Sequence, residues 1–237
     1  MMEKMKLEKI VEIKAKLVLQ TGLHIGAGDG EMHIGGVDNA IIKHPITQSP
    51  YIPGSSLKGK MRTLLEWLSG EVREKPLSLN DVKNAQDPQA VKMILRLFGT
   101  SADVGKDQLV KELGVGRLSF WDAHLSKEWE ADVRESNLLL TEVKSENTIN
   151  RITSTAEHPR FMERIPAGAE FEFKLMMKQF AGDDKEALLN LVLKGLKLLE
   201  MDSVGGSGSR GYGKVKFEKL EIDGQPRDLD KIQPFAK

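Results

Sequence analysis

Cysteine is absent from the 237 residues. Disulfides and thiolate metal sites are therefore excluded, zinc is not expected, and a cytoplasmic location is the expectation. Aromatic residues make up only 5%, too few for a broad base-stacking platform. Charge of one sign does not dominate either. Lys and Arg number 35 and Asp and Glu number 35, for a net charge of zero. A protein that coats nucleic acid with its whole surface is thereby disfavoured, whereas a local basic groove is not. No apolar run approaches the ~18 residues of a membrane span. Met1 to Lys9 is charged and has no apolar centre, so it does not read as a signal peptide.

What remains is an ordinary globular balance, with 40% hydrophobic and 30% charged residues. Val11, Ile13, Ala15, Leu17 and Leu19 alternate with polar residues, which predicts a half-buried strand. A turn-rich stretch follows, Thr21 to Gly28, and Val37–Ile42 reads as a short strand. After Pro53 and Gly54, Ser55 is the expected N-cap of a helix running to about Glu74. Its buried face would be Leu57, Met61, Leu64, Leu65, Leu68 and Val72. Asp87 to Phe98 predicts a shorter helix. Arg117 to His124 and Glu170 to Met177 predict strands, and residues 136–165 a long hairpin or exposed loop. Asp184 to Glu200 predicts a second strong helix, and Val215, Phe217 and Leu220 a last strand.

The order is strand, helix, strand, strand, helix, strand. It matches an α+β, ferredoxin-like (RRM-like) βαββαβ core. The expectation is a single domain over 1–237, interrupted by insertions at about 75–115 and 130–165.

Three stretches carry chemistry. The first is Gly54-Ser55-Ser56-Leu57-Lys58-Gly59-Lys60-Met61-Arg62. Free N–H groups at a helix start attract phosphate, and two hydroxyls and three cations reinforce them. An ordinary solvated helix start fits the same residues. The pattern is not a Walker loop. The second is the glycine-rich run from Gly205 to Gly213, with five glycines in nine residues. Such a run implies positive-φ positions or close approach to a ligand, and Arg210 within it has the geometry to grip phosphate. A flexible helix-to-strand connection is the other reading. The third is Asp29 to Asp38. A carboxylate there suits a divalent cation beside a phosphodiester, and it equally suits a turn that bonds its own backbone. Local chemistry does not choose between Asp29 and Asp38. None of His24, His33, His44, His124 and His158 is spaced as a zinc pair. His24 sits in the glycine-flanked loop and suits RNA contact, proton transfer or simple packing on the sheet edge.

Five motifs occur in order. They are Thr21-Gly22-Leu23-His24-Ile25-Gly26, Gly36-Val37-Asp38-Asn39, Ile52 to Arg62, Thr141-Glu142-Val143-Lys144 with Glu146-Asn147-Thr148-Ile149, and Gly205 to Gly213. Together they resemble the RAMP superfamily of CRISPR proteins, and most of all the repeated backbone subunit of the type III-A Csm complex, from about residue 10 to about 220. The resemblance implies a ferredoxin-like core with a helical lid insertion (75–115) and a thumb-like β-hairpin insertion (130–165). It implies head-to-tail stacking of copies along crRNA. It also implies cleavage of complementary target RNA at regular intervals, dependent on Mg2+ or Mn2+. The family pattern selects Asp38 as the catalytic residue and as a metal contact shared with RNA phosphate. It makes His24, Ser55, Ser56, Lys58, Lys60, Arg62, Gly208, Arg210 and Gly211 guide-binding candidates. In the thumb, Lys144, Asn147 and Arg151 are candidates for duplex contact. Implied partners are crRNA, target RNA, further copies of the chain, and the other Csm subunits: the large polymerase-like subunit, the small subunit and the capping RAMP subunits. A non-catalytic, structural crRNA-binding subunit and a repeat-RNA processing endonuclease share the fold and stand as alternatives.

Overall fold

The computed structural model describes residues 5–28, 39–100 and 108–236. Asp38, Asp29, His33 and the first two residues of the strand expected at 37–42 lie outside the described residues; of the rest, Asn39 and Ile41 make isolated bridges to Met162 and Gly26 rather than a strand.

Alternating apolar side chains build the sheet. Strand β1 (Leu7–Leu19) buries Val11, Ile13, Ala15, Leu17 and Leu19, the set that period two predicts. It is the centre of a five-stranded antiparallel sheet of order β3-β7-β1-β8-β9. The other members are β3 (Leu118–Phe120), β7 (Glu170–Phe180), β8 (Val215–Ile222) and β9 (Gln225–Pro226). Phe171, Phe173, Leu175 and Met177 bury the same face of β7, and Phe173 meets Phe217 of β8 edge to face, with ring centroids 4.9 Å apart.

Two helices, α1 (Gly54–Ser69) and α6 (Lys185–Met201), join this core. Leu57, Met61, Leu64 and Leu65 of α1 are buried, as are Leu188, Val192, Leu196 and Leu199 of α6. They pack closely at Gly195, where an added Cβ would strike the Met61 side chain. The Asp184 carboxylate accepts from the Ala187 N–H and caps α6.

Four expectations need correction. Ser55 is not the N-cap of α1. Pro53 occupies that position, and the Asp122 carboxylate accepts the Gly54 N–H at 2.7 Å. A residue distant in sequence supplies the acceptor that a local serine was expected to give. Helix α1 also stops at Ser69 rather than Glu74. Gly70 takes the left-handed backbone, φ 76, and its N–H closes on Trp67; Val72 is left exposed. The strand expected at 117–124 is divided. It becomes β3 and β4 (Ala123–His124), and β4 pairs instead with β2 (Tyr51–Ile52). Finally, α5 (Lys127–Glu135) opens the stretch expected to belong to the thumb. It buries no residue, so it lacks the apolar stripe that periodicity detects.

The segment between α1 and β3 holds α2 (Leu79–Asn84), α3 (Pro88–Phe98) and α4 (Gln108–Leu113). Asp87 caps α3, and Val91, Ile94, Leu95 and Phe98 are buried. Strands β5 (Glu142–Ile149) and β6 (Ala156–Arg164) form a separate two-stranded antiparallel hairpin. No helix among the described residues is long and apolar enough to cross a membrane.

Candidate nucleic-acid interface

Three segments far apart in sequence meet at the C-terminal end of β1. The loop at 21–27 lies between the glycine-rich loop and the base of the hairpin. On one side, Gly213 N–H donates to Gly22 O and Gly206 N–H to His24 O, both at 2.9 Å. On the other, Leu23 and Ile165 exchange two backbone bonds of 2.9 and 2.8 Å. The loop is satisfied by tertiary partners, as buried backbone must be.

His24 is fixed by the hairpin. Its Nδ1 lies 2.7 Å from Glu163 O. A carbonyl only accepts, so Nδ1 carries the proton and Nε2 is the nitrogen left for a ligand. Glu163 also holds the stretch that follows Asp38. Its backbone N–H donates to Asn39 O, and its carboxylate accepts from Ile41 N–H and pairs with Lys43 at 2.5 Å. Burial pushes the Glu163 carboxyl up, but Lys43 and the Ile41 N–H outweigh it and hold it below the usual range. The residue after Asp38 is thus anchored beside His24.

The glycine-rich loop has the backbone that its composition implies. Gly205, Ser207, Gly211 and Gly213 all have positive φ, and Gly208–Arg210 forms one 3-10 turn. An added Cβ at Gly205 would strike His24 O, and one at Gly213 would strike Val204 O. One at Gly208 would meet the Ser203 hydroxyl. Gly211, in contrast, faces open space.

Arg210 does not stand free. Its guanidinium pairs with Glu146 Oε2 at 2.8 Å, and the buried Tyr212 donates to Glu146 Oε1. The expected phosphate grip therefore begins as an ion pair between loop and hairpin. The Tyr212 hydroxyl, then Arg210 and Lys144, hold the Glu146 carboxyl below its ordinary value. Lys144, Asn147 and Arg151 line a cleft of 690 Å³ together with Arg210. His158 and Arg160 line it too. Neither was singled out for this role from the sequence. Strand β6 carries as many glutamates as arginines, Glu157 and Glu163 against Arg160 and Arg164, so no local charge pattern marks these two residues; the strand pairing does.

The helix-start cluster divides. Lys60 turns toward the end of α6 and pairs with Asp202 at 2.7 Å, close to the glycine-rich loop. Arg62 turns the other way, donating to the buried Glu66 and to Leu77 O. It serves the packing of the 71–81 segment. Lys58 lines a second cleft with Arg62 and pairs with no carboxylate among the described residues. Ser55 is exposed and Ser56 half-buried in the first turn. Of the expected set, the fold brings His24, Lys144, Asn147, Arg151, Gly208, Arg210 and Gly211 to one region. Lys60 sits at its border, and Arg62 is turned away from it.

The chain belongs to the RAMP superfamily, whose model matches residues 16–216. Its relatives include the CRISPR system Cms endoribonuclease Csm3 of Streptococcus thermophilus, 46% identical over 89% of this chain and 88% of that protein. The protein of the same description from Methanothermobacter thermautotrophicus is 39% identical over 94% of this chain and 89% of its own length. Among solved structures, a Csm3–Csm4 subcomplex in the type III-A CRISPR-Cas interference complex matches with a TM-score of 0.55 and 28% identity. It covers 92% of this chain and 80% of that one.

Proposed function

We propose that this chain is a backbone subunit of a type III-A CRISPR effector complex. It binds crRNA along a head-to-tail filament and cleaves complementary target RNA endonucleolytically at regular intervals. The observation that carries this reading is the meeting of the His24 loop, the glycine-rich loop and the hairpin in one region, in a chain 46% identical to a Csm3 endoribonuclease. The sheet order β3-β7-β1-β8 with two packed helices supports a ferredoxin-like core. Within one domain over 1–237, residues 75–115 would be the lid and 130–165 the thumb. Partners are crRNA, target RNA, further copies of the chain and the other Csm subunits, in the cytoplasm.

In this reading Asp38, the residue before the anchored stretch at 39–43, acts on the target strand. Asp38 then supports in-line attack of the neighbouring ribose 2′-hydroxyl on the phosphorus: the 2′-oxygen loses its proton, the P–O5′ bond breaks, and the products are a 2′,3′-cyclic phosphate and a protonated 5′-hydroxyl. His24, Ser55, Ser56, Lys58 and Lys60 meet the guide, and the hairpin meets the duplex. Among the described residues no group of three or more His, Asp or Glu is placed to hold a metal ion. A dependence on Mg2+ or Mn2+ would draw on Asp38 and RNA phosphate.

The test is Asp38→Ala in a reconstituted complex, with labelled target RNA followed on a denaturing gel. Cleavage is expected to fall to background while target binding stays at wild-type affinity. Cleavage at the full rate would remove the catalytic assignment.

A further inference from the structure

A further charged cavity lies at the N-terminal end of β1, the end opposite the hairpin and the glycine-rich loop. It measures 340 Å³ and is lined by Arg96 of α3, Lys111 and Glu112 of α4, Arg117 before β3, and Asp183 after β7. The reading above uses none of it.

Three of these five charges are already paired. Arg117 donates to both oxygens of Asp183, and Glu112 pairs with Lys92 at 3.1 Å. Arg96 and Lys111 pair with no carboxylate among the described residues. The Arg96 Nε is closed off from solvent and has no acceptor among those residues either. A buried donor left without a partner destabilises a fold, and in a native structure such a group marks the place of an ion, a water or a function.

The helix ends do not account for the two cations. Arg96 and Lys111 sit in the last turns of α3 and α4, where a cation offsets the helix dipole and meets the last carbonyls. Here Arg117 meets those carbonyls instead. Its backbone N–H donates to Arg96 O and Leu97 O, and its guanidinium to Leu113 O. The Arg96 charge is also felt across the cavity: burial raises the Asp183 carboxyl, while Arg117, the Phe180 N–H and then Arg96 lower it. Two uncompensated cations match a phosphate group, which carries about −1.5 to −2 charges at neutral pH. The planar guanidinium fork fits two phosphate oxygens at once. The volume is at the low end of the roughly 300–1,000 Å³ of small-molecule sites.

We propose that this cavity binds a small phosphate-bearing anion, with Arg96 as its bidentate contact and Lys111 as the second charge. The inference is independent of the RNA reading above.

The experiment is isothermal titration calorimetry of the full-length chain in a phosphate-free buffer at constant ionic strength, with thermal melts alongside. Inorganic phosphate, adenosine 5′-monophosphate and adenosine are the probes. The first two should bind and raise Tm, and adenosine should do neither. Equal affinities for phosphate and monophosphate support a site that reads the phosphate alone. Tighter monophosphate binding supports a site that also holds the group the phosphate carries. Arg96→Met keeps the bulk of the side chain and removes the guanidinium. It should weaken phosphate binding by about tenfold or more, the loss of charge-assisted hydrogen bonds. Its Tm without phosphate should stay level or rise, because the orphan donor is gone. Lys111→Ala, at an exposed position, should weaken binding by a smaller factor and leave the unliganded Tm unchanged. Wild-type affinity in both variants places the phosphate elsewhere on the chain and overturns the assignment. A wild-type chain that binds neither phosphate nor monophosphate, or binds adenosine equally well, overturns it too.

Discussion

Tyr212 and Glu146 are joined by a 2.7 Å hydrogen bond from the phenol to Oε1, and that bond ties the glycine-rich loop to the hairpin. Lys144 and Arg164 lie over the Tyr212 ring, 4.6 and 5.1 Å from its centroid. Burial and then Glu146 push the phenol's pKa up, so it stays a donor throughout the physiological range. Tyr212→Phe keeps the ring and removes only the donor. The expected cost is about 1 kcal/mol in denaturant unfolding, with faster amide exchange across residues 142–164. Unchanged exchange there would mean that the hairpin is held by its base alone.

The glycine-rich loop packs tightly against its neighbours. At Gly213, φ is 72 and an added Cβ would strike the Val204 carbonyl. Gly213→Ala should destabilise by more than ~1 kcal/mol, because both strain and overlap act. Gly59→Ala is the control. It is exposed, with nothing near its Cβ position, and should stabilise slightly through helix propensity. Thermal melts of the two variants should move in opposite directions.

The far end of the sheet carries a buried ion pair. Arg117 donates to both oxygens of Asp183, at 3.0 and 2.8 Å, and both side chains are under 5% exposed. Burial raises the Asp183 carboxyl, but Arg117 and the Phe180 N–H outweigh it and leave it below its ordinary value. Asp183→Ala strands a buried guanidinium and should cost about 3–5 kcal/mol. Chemical denaturation measures this directly; a loss below 1 kcal/mol would show that water reaches Arg117.

Asp230 lies near the C-terminal end and accepts from Lys197 and Lys216 at 2.7 and 2.6 Å. Those ammonium groups lower its pKa to about 2. The folded value lies below the unfolded one of about 3.9. Its contribution is therefore fully present above pH ~4 and is lost as pH falls toward 2. Asp230→Asn should melt below wild type at neutral pH, and the two melting curves should converge across that acid window. Because the pair is at the surface, the gap should also shrink with salt.

Elements with a regular apolar period were readable from the sequence. The alternation in β1 and β7 and the three- and four-residue spacing in α1, α3 and α6 each correspond to an observed buried face. Short elements without such a period were not. Helix α5 has no buried side, and β3 and β4 are parted at Trp121 and Asp122 so that Asp122 can reach Gly54. The candidate site divides the same way. The glycine-rich run, the His24 loop and the basic helix start were visible as residue types in a local pattern. The roles of Lys60 and Arg62 were not, since their partners Asp202 and Leu77 are set by packing.

The sequence by itself determined that the chain makes a sheet with two packed helices, lacks thiol chemistry, and carries motifs of the RAMP superfamily. These follow from local periodicity and composition, which act within a few residues. Tertiary structure alone decided that Arg210 meets Glu146, that His24 is oriented by Glu163, and that a bulge places His158 among four cations. Each of these pairs residues more than sixty positions apart or depends on strand register, and neither is written in any local stretch of the chain.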